Sequence, residues 1–126
     1  MKKTIKSILK DKSDSILFAY LFGSHAQGTS SKNSDMDLAV FLKDSAIVSL
    51  FDIKIDLYSN LSRTLKRNDI DIVVMNTCKN IILLDNIISH GIVIYSQDEP
   101  RRLDYEQKIL HSAIDFKHQR HMAMGV

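Results

Sequence analysis

Two apolar runs and the polar turn between them decide the fold: Ile16–Phe22 (ILFAYLF) stops at Gly23-Ser24-His25-Ala26-Gln27-Gly28, and after Ser34-Asp35 a second run, Met36–Leu42 (MDLAVFL), opens with Asp37 inside it. An unbroken apolar run closed by glycine is the pattern of a strand buried on both faces. The spacing across the turn is Gly-Ser, ten residues, then Asp-x-Asp. The Gly-Ser pair thus stands where one strand stops, and the acidic pair where the next begins.

Working outward, Asp69–Met75 (DIDIVVM) and Gly91–Tyr95 (GIVIY) read as a third and a fourth strand. Between the second and third, Phe51, Ile53, Ile55 and Leu57 alternate as in a strand. At 100° per residue, however, Ile47, Leu50, Phe51, Leu57, Tyr58, Leu61 and Leu65 share one stripe with Ile53 and Ile55 beside it. That pattern outlasts an ordinary strand, so a helix is expected. Thr77 is the expected cap of a helix carrying Ile81, Leu84 and Ile88 that leaves through Gly91, and Asp98 with Pro100 starts a last helix through Leu103, Leu110, Ala113 and Ile114. With a leading helix and a helix start after the first strand, the expectation is an α/β (α+β) fold. It has a small mixed sheet of about four strands flanked by helices, in one domain over 1–126.

The chain has 126 residues, 44% of them hydrophobic and 25% charged, which is ordinary for one globular core and excludes a disordered or fibrous chain. No apolar run is long enough to span a bilayer, and Lys10, Asp11 and Lys12 fall where a signal peptide needs its apolar stretch. A single cysteine, Cys78, allows neither an internal disulfide nor a cysteine-built metal site. The net charge of +2 divides unevenly: residues 14–100 hold seven basic and eleven acidic groups, a net of −4. No dense basic stripe is present to grip nucleic-acid phosphates, so direct nucleic-acid binding is not expected. The reading is a soluble, cytoplasmic protein.

The polar residues suit phosphate chemistry. Asp35 and Asp37 project from the same strand face, one pleat apart, and two carboxylates so close repel unless a cation neutralises them. Oxygen ligands without histidine or cysteine favour Mg²⁺ or Mn²⁺ over zinc. At the strand-to-helix turn, the backbone N–H groups and hydroxyl of Ser24 can hold phosphate oxygens, and Gly23 has no side chain to keep a triphosphate away. A third carboxylate stands on the third strand, where Asp69 and Asp71 share a face opposite Ile70, Ile72 and Val74. Asp71, inside the apolar run, is preferred to accept the proton of an attacking hydroxyl and help hold a second ion, with Asp69 the alternative.

The Gly23-Ser24, Gly28, Ser34, Asp35, Asp37 and Asp71-Ile72-Val73-Val74 positions resemble the polymerase-β-type nucleotidyltransferase superfamily, and within it the minimal nucleotidyltransferase proteins. The resemblance implies that fold, with Asp35, Asp37 and Asp71 as catalytic metal ligands and Gly23, Ser24 and Ser34 as nucleotide-binding residues. It implies ATP as substrate, Mg²⁺ (or Mn²⁺) as cofactor, and a partner with the HEPN (higher eukaryotes and prokaryotes nucleotide-binding) ribonuclease fold. The expected activity is that of an antitoxin placing AMP on a tyrosine of that toxin. Two other readings compete: an inhibitor that neutralises its partner by contact with the carboxylates idle, and a nucleotidyltransferase acting on a small molecule. Converging carboxylates repel in metal-free protein, so Asp37→Asn is expected to abolish transfer while leaving the melting temperature in chelator unchanged or raised. A large fall in that temperature would make Asp37 a structural hydrogen-bonding group.

Overall fold

The computed structural model describes residues 2–23 and 35–123, with side chains through Arg120. Helix α1 (Lys2–Lys10) leads into strand β1 (Ile16–Phe22). Strand β2 (Met36–Leu42), a 3-10 turn (Asp44–Ser49) and helix α2 (Leu50–Leu65) follow. Strand β3 (Ile70–Val74), helix α3 (Ile81–His90), strand β4 (Ile92–Ser96) and helix α4 (Glu99–Ala123) complete the chain. The strands form one sheet in the order β3-β2-β1-β4. β1 runs antiparallel to both β2 and β4, while β2 and β3 are parallel. The expected mixed four-stranded sheet with helices on it is therefore present. The helix start expected after β1 lies outside the described residues.

Both faces of the two central strands are covered, which is why their sequences do not alternate. On one face Ile16, Ala19, Leu21, Met36, Leu38, Val40 and Leu42 pack with Ile70, Ile72 and Val74 under Ile5 and Leu9 of α1 and Leu57 and Leu61 of α2. On the other, Phe18, Tyr20, Phe22, Ala39 and Phe41 pack with Leu84 and Ile87 of α3 and Tyr105 and Ile109 of α4. Ile16 and Phe18, two residues apart, face opposite sides because the β1–β2 register shifts between them, as a bulge requires. A polar tie fastens α4 to this second face. The Tyr20 hydroxyl donates to Glu106 at 2.6 Å, and Arg102 donates to the same carboxylate at 2.6 Å. Burial, reinforced by Glu106, holds the Tyr20 phenol far above its ordinary pKa, so it stays a protonated donor.

Two local expectations are corrected. Asn80, not Thr77, caps α3: its side-chain oxygen accepts from the Leu83 N–H at 3.1 Å. Thr77 instead closes a 3-10 turn, Met75–Thr77, because β3 ends at Val74 and a second break intervenes before α3. Phe51, placed by periodicity on the buried stripe of α2, is 76% exposed; Leu57 and Leu61 carry the packing, with Leu50, Ile53, Tyr58 and Leu65 partly buried around them. Asp98 does cap α4, accepting from the Arg101 N–H at 3.1 Å. Among the described residues no helix is long and apolar enough to cross a membrane.

Gly91, at the exit of α3, has an extended backbone (φ −75°, ψ 166°), so it is required by space and not by handedness. A Cβ there would lie 2.4 Å from the Ile87 carbonyl oxygen and 3.3 Å from that of Leu21. The close approach lets β4 start directly beside the end of β1. Gly91→Ala is expected to destabilise the fold by about 1–3 kcal/mol and to lower the melting temperature by about 5 °C or more. A melting curve unchanged or raised, as helix propensity alone would give, would refute the close-packing account.

Candidate active site

The end of β1 and the starts of β2 and β3 lie at one edge of the sheet, because β1 opposes β2 while β2 and β3 run together. Phe22 pairs with Asp37, and Asp37 pairs in turn with Asp71. Paired residues on neighbouring strands are about 4.8 Å apart and point to the same face, so the Asp37 and Asp71 carboxylates stand side by side. That face is the one carrying Phe22, Ala39 and Phe41. Asp35 is two residues upstream of Asp37, about 6.6 Å along the chain at extended rise, and lies exposed just before β2 begins.

Gly23 makes room for this pair. Its φ of +76° is left-handed, and a Cβ on it would sit 2.4 Å from Asp37 Oδ2. Only a residue without a side chain can both turn the chain away from β1 and allow that carboxylate to stand against its backbone. Ser24 and Ser34, the other two positions expected to contact nucleotide, lie outside the described residues.

The two aspartates near the start of β3 differ in their surroundings. Asp69 receives a two-pronged grip from Arg67, Nε to Oδ1 at 2.6 Å and Nη2 to Oδ2 at 2.7 Å. Its carbonyl accepts the Met36 N–H at 2.8 Å, stitching the entrance of β3 to that of β2. Asp71 is the one in register with Asp37. The Asp69 carboxylate, and less strongly the charge of Asp35, push the Arg67 guanidinium above its ordinary pKa, so this arginine belongs electrostatically to the acidic edge. Sequence reading passed over Arg67; its signal was the Arg-x-Asp spacing just ahead of an apolar run.

Among the described residues no three His, Cys, Asp or Glu side chains already form a group able to hold a metal ion. Asp37 and Asp71 are paired by the sheet, whereas Asp35 precedes the ladder. The donor chemistry nonetheless fits a hard divalent cation, since the carboxylates at this edge offer oxygen alone. Asp71 also lines two shallow grooves along β3, of ≈ 670 and ≈ 240 Å³. The groove at the opposite end of the sheet, lined by Phe41, Asn76, Arg101 and Tyr105 among others, contains none of the three aspartates.

Comparison with known proteins places this geometry in a wider group. The family described as Polymerase beta, Nucleotidyltransferase matches residues 3–100. Protein adenylyltransferase MntA of Shewanella oneidensis is 31% identical over 90 residues, covering 71% of this chain and 60% of that protein. The chain thus aligns with less than two thirds of that relative's length. Among solved structures, a toxin–antitoxin with AMP-PNP superposes with a TM-score of 0.75 at 23% identity, over 98% of this chain and 95% of that one. A mutant of the toxin–antitoxin MntA-HpeT gives a TM-score of 0.76 at 21% identity, over 99% and 96%. At such identities these two establish a shared fold.

The Gly23–Asp37 contact is testable alone. Gly23→Ala is expected to cost about 1–2 kcal/mol from the left-handed backbone, and more from the clash. Because the clash is with the Asp37 carboxylate, adding Asp37→Ala should recover part of the loss, with a coupling of about 0.5 kcal/mol or more in a double-mutant cycle. Strict additivity in denaturant melts would remove the contact.

Proposed function

The chain belongs to the polymerase β nucleotidyltransferase family, and on that footing we propose that it transfers AMP from ATP to a tyrosine hydroxyl of a cognate HEPN-family ribonuclease, acting as that toxin's antitoxin. The observation that carries the reading is the register Phe22–Asp37–Asp71, which sets two carboxylates side by side against a glycine with no side chain. Support for the acceptor class comes from the relative that is itself named a protein adenylyltransferase and from the toxin–antitoxin assemblies that share the fold.

In this reading Gly23, Ser24 and Ser34 take the phosphates of ATP. The acceptor oxygen attacks the α-phosphorus in line, the bond from that phosphorus to the pyrophosphate oxygen breaks, and pyrophosphate leaves. Asp71 accepts the hydroxyl proton. Asp35 and Asp37 hold the nucleotide's counter-charge at the start of β2, and Arg67 keeps Asp69 occupied, leaving Asp71 for the acceptor. Asp35, Asp37 and Asp71 would hold magnesium or manganese, which would offset charge building on the phosphate oxygens. Work of this kind belongs in the cytoplasm, where ATP is made available.

The test uses the purified chain, the product of a neighbouring reading frame that bears the HEPN ribonuclease signature, and ATP labelled at the α-phosphate with Mg²⁺. Label is expected on a tyrosine of the ribonuclease, with RNA cleavage lost in step. Asp35→Asn and Asp71→Asn are each expected to slow transfer about 100-fold or more. Neutralisation that survives both substitutions undiminished would replace the enzyme with an inhibitor by contact.

A further inference from the structure

β3 is an edge strand: β2 lies on one side, and among the described residues no backbone group pairs with the other. Edges of this kind normally carry charge or cover, because unpaired backbone groups recruit other chains. Asp71, exposed on this strand, supplies some of that charge, yet the ground beside the edge is apolar. Val48, Phe51 and Ile55 are 93%, 76% and 64% exposed and follow one another at three- and four-residue helical spacing, so they form one apolar strip. The two grooves along β3 join this strip to the edge. Phe51, Val74 and Thr77 are among the residues lining the larger, and Ile55, Tyr58, Ile70 and Ile72 line the smaller; Asp71 and Lys54 line both.

We propose that this edge is the acceptor-docking surface, and that it takes an extended polypeptide segment of the protein substrate as a fifth strand alongside β3. The inference rests on the transferase reading and adds to it where the acceptor lies. Three features select the occupant. A row of backbone donors and acceptors fits another backbone, and neither a small molecule nor a nucleic acid supplies the matching row. The strip asks for apolar side chains on that segment. Lys54, the lone cation among the described groove-lining residues, asks for an acidic side chain near them.

Register then explains how docking serves the chemistry. Asp37 and Asp71 are paired across β2 and β3. A residue of an added strand paired with Asp71 would stand about 4.8 Å further on and project from the same face. A hydroxyl at that position comes to Asp71 from the side away from Asp37, leaving the Gly23 side for the nucleotide. The sheet itself sets the order of nucleotide site, base and acceptor.

Amide exchange on the full chain, alone and with the neighbouring HEPN ribonuclease, tests the proposal. Slowed exchange over residues 70–74 in the complex is expected. Phe51→Asp should weaken the complex about tenfold or more without lowering the melting temperature, since the ring is exposed, and Phe51→Leu should restore most of the affinity. Wild-type affinity in Phe51→Asp, with no protection over 70–74, would overturn the proposal. Protection that appears in the chain alone and grows with its concentration would also overturn it, by making the occupant a second copy. If wild-type protein protects 70–74 with the ribonuclease yet transfers no label, docking stands and the transferase reading falls.

Discussion

The acidic edge depends on one close approach, the contact between the Gly23 backbone and the Asp37 carboxylate. Asp37 is flanked in the sheet by Phe22 on one side and Asp71 on the other. Its side chain can face the edge only because the chain leaving β1 turns with a positive φ at a residue lacking a Cβ. Any larger residue would move the turn or the carboxylate, and with it the in-register pair. The remaining scaffold serves this arrangement. Parallel pairing of β2 with β3 brings the start of a second strand to the same edge, and the Asp69 carbonyl bond to Met36 fixes the relative height of the two entrances.

Much of this was legible in the sequence, and the reasons differ by element. Ile16–Phe22 and Met36–Leu42 were found with their exact limits because strands covered on both faces leave no polar residue to blur them. The bulge within β1 left no mark, since every residue it could redirect is apolar. The α2 segment was recognised as helical from its length. Yet periodicity places Phe51 on the buried stripe while the structure exposes it, because the pattern ranks residues by chemistry and cannot tell a core position from an exposed one. Thr77 was read as a cap from residue type alone, and Asn80 outcompeted it once β3 ended early and a 3-10 turn was inserted.

The acidic residues were legible as chemistry but not as geometry. Two aspartates on one strand face follow from alternation. Which of Asp69 and Asp71 stands beside Asp37 depends on strand register, which one sequence does not display. The same limit hid the openness of β3: an apolar strand reads alike at the centre of a sheet or at its rim. The tie from Tyr20 to Glu106 that holds α4 joins residues far apart in the chain, which spacing alone does not reveal.

Helix α4 carries a consequence of its own. It runs for 25 residues, Glu99–Ala123, about 37 Å at helical rise, while the longest strands are seven residues. Among its described side chains Ala113 is the last that is buried, and those from Ile114 through Arg120 are exposed, with the Lys117–Asp85 pair at 3.2 Å as a distal tie. A helical stretch without a packed face sits near the balance point between helix and coil. Warming should therefore unwind this end gradually, with little heat-capacity change, well before the sheet gives way in a single cooperative step.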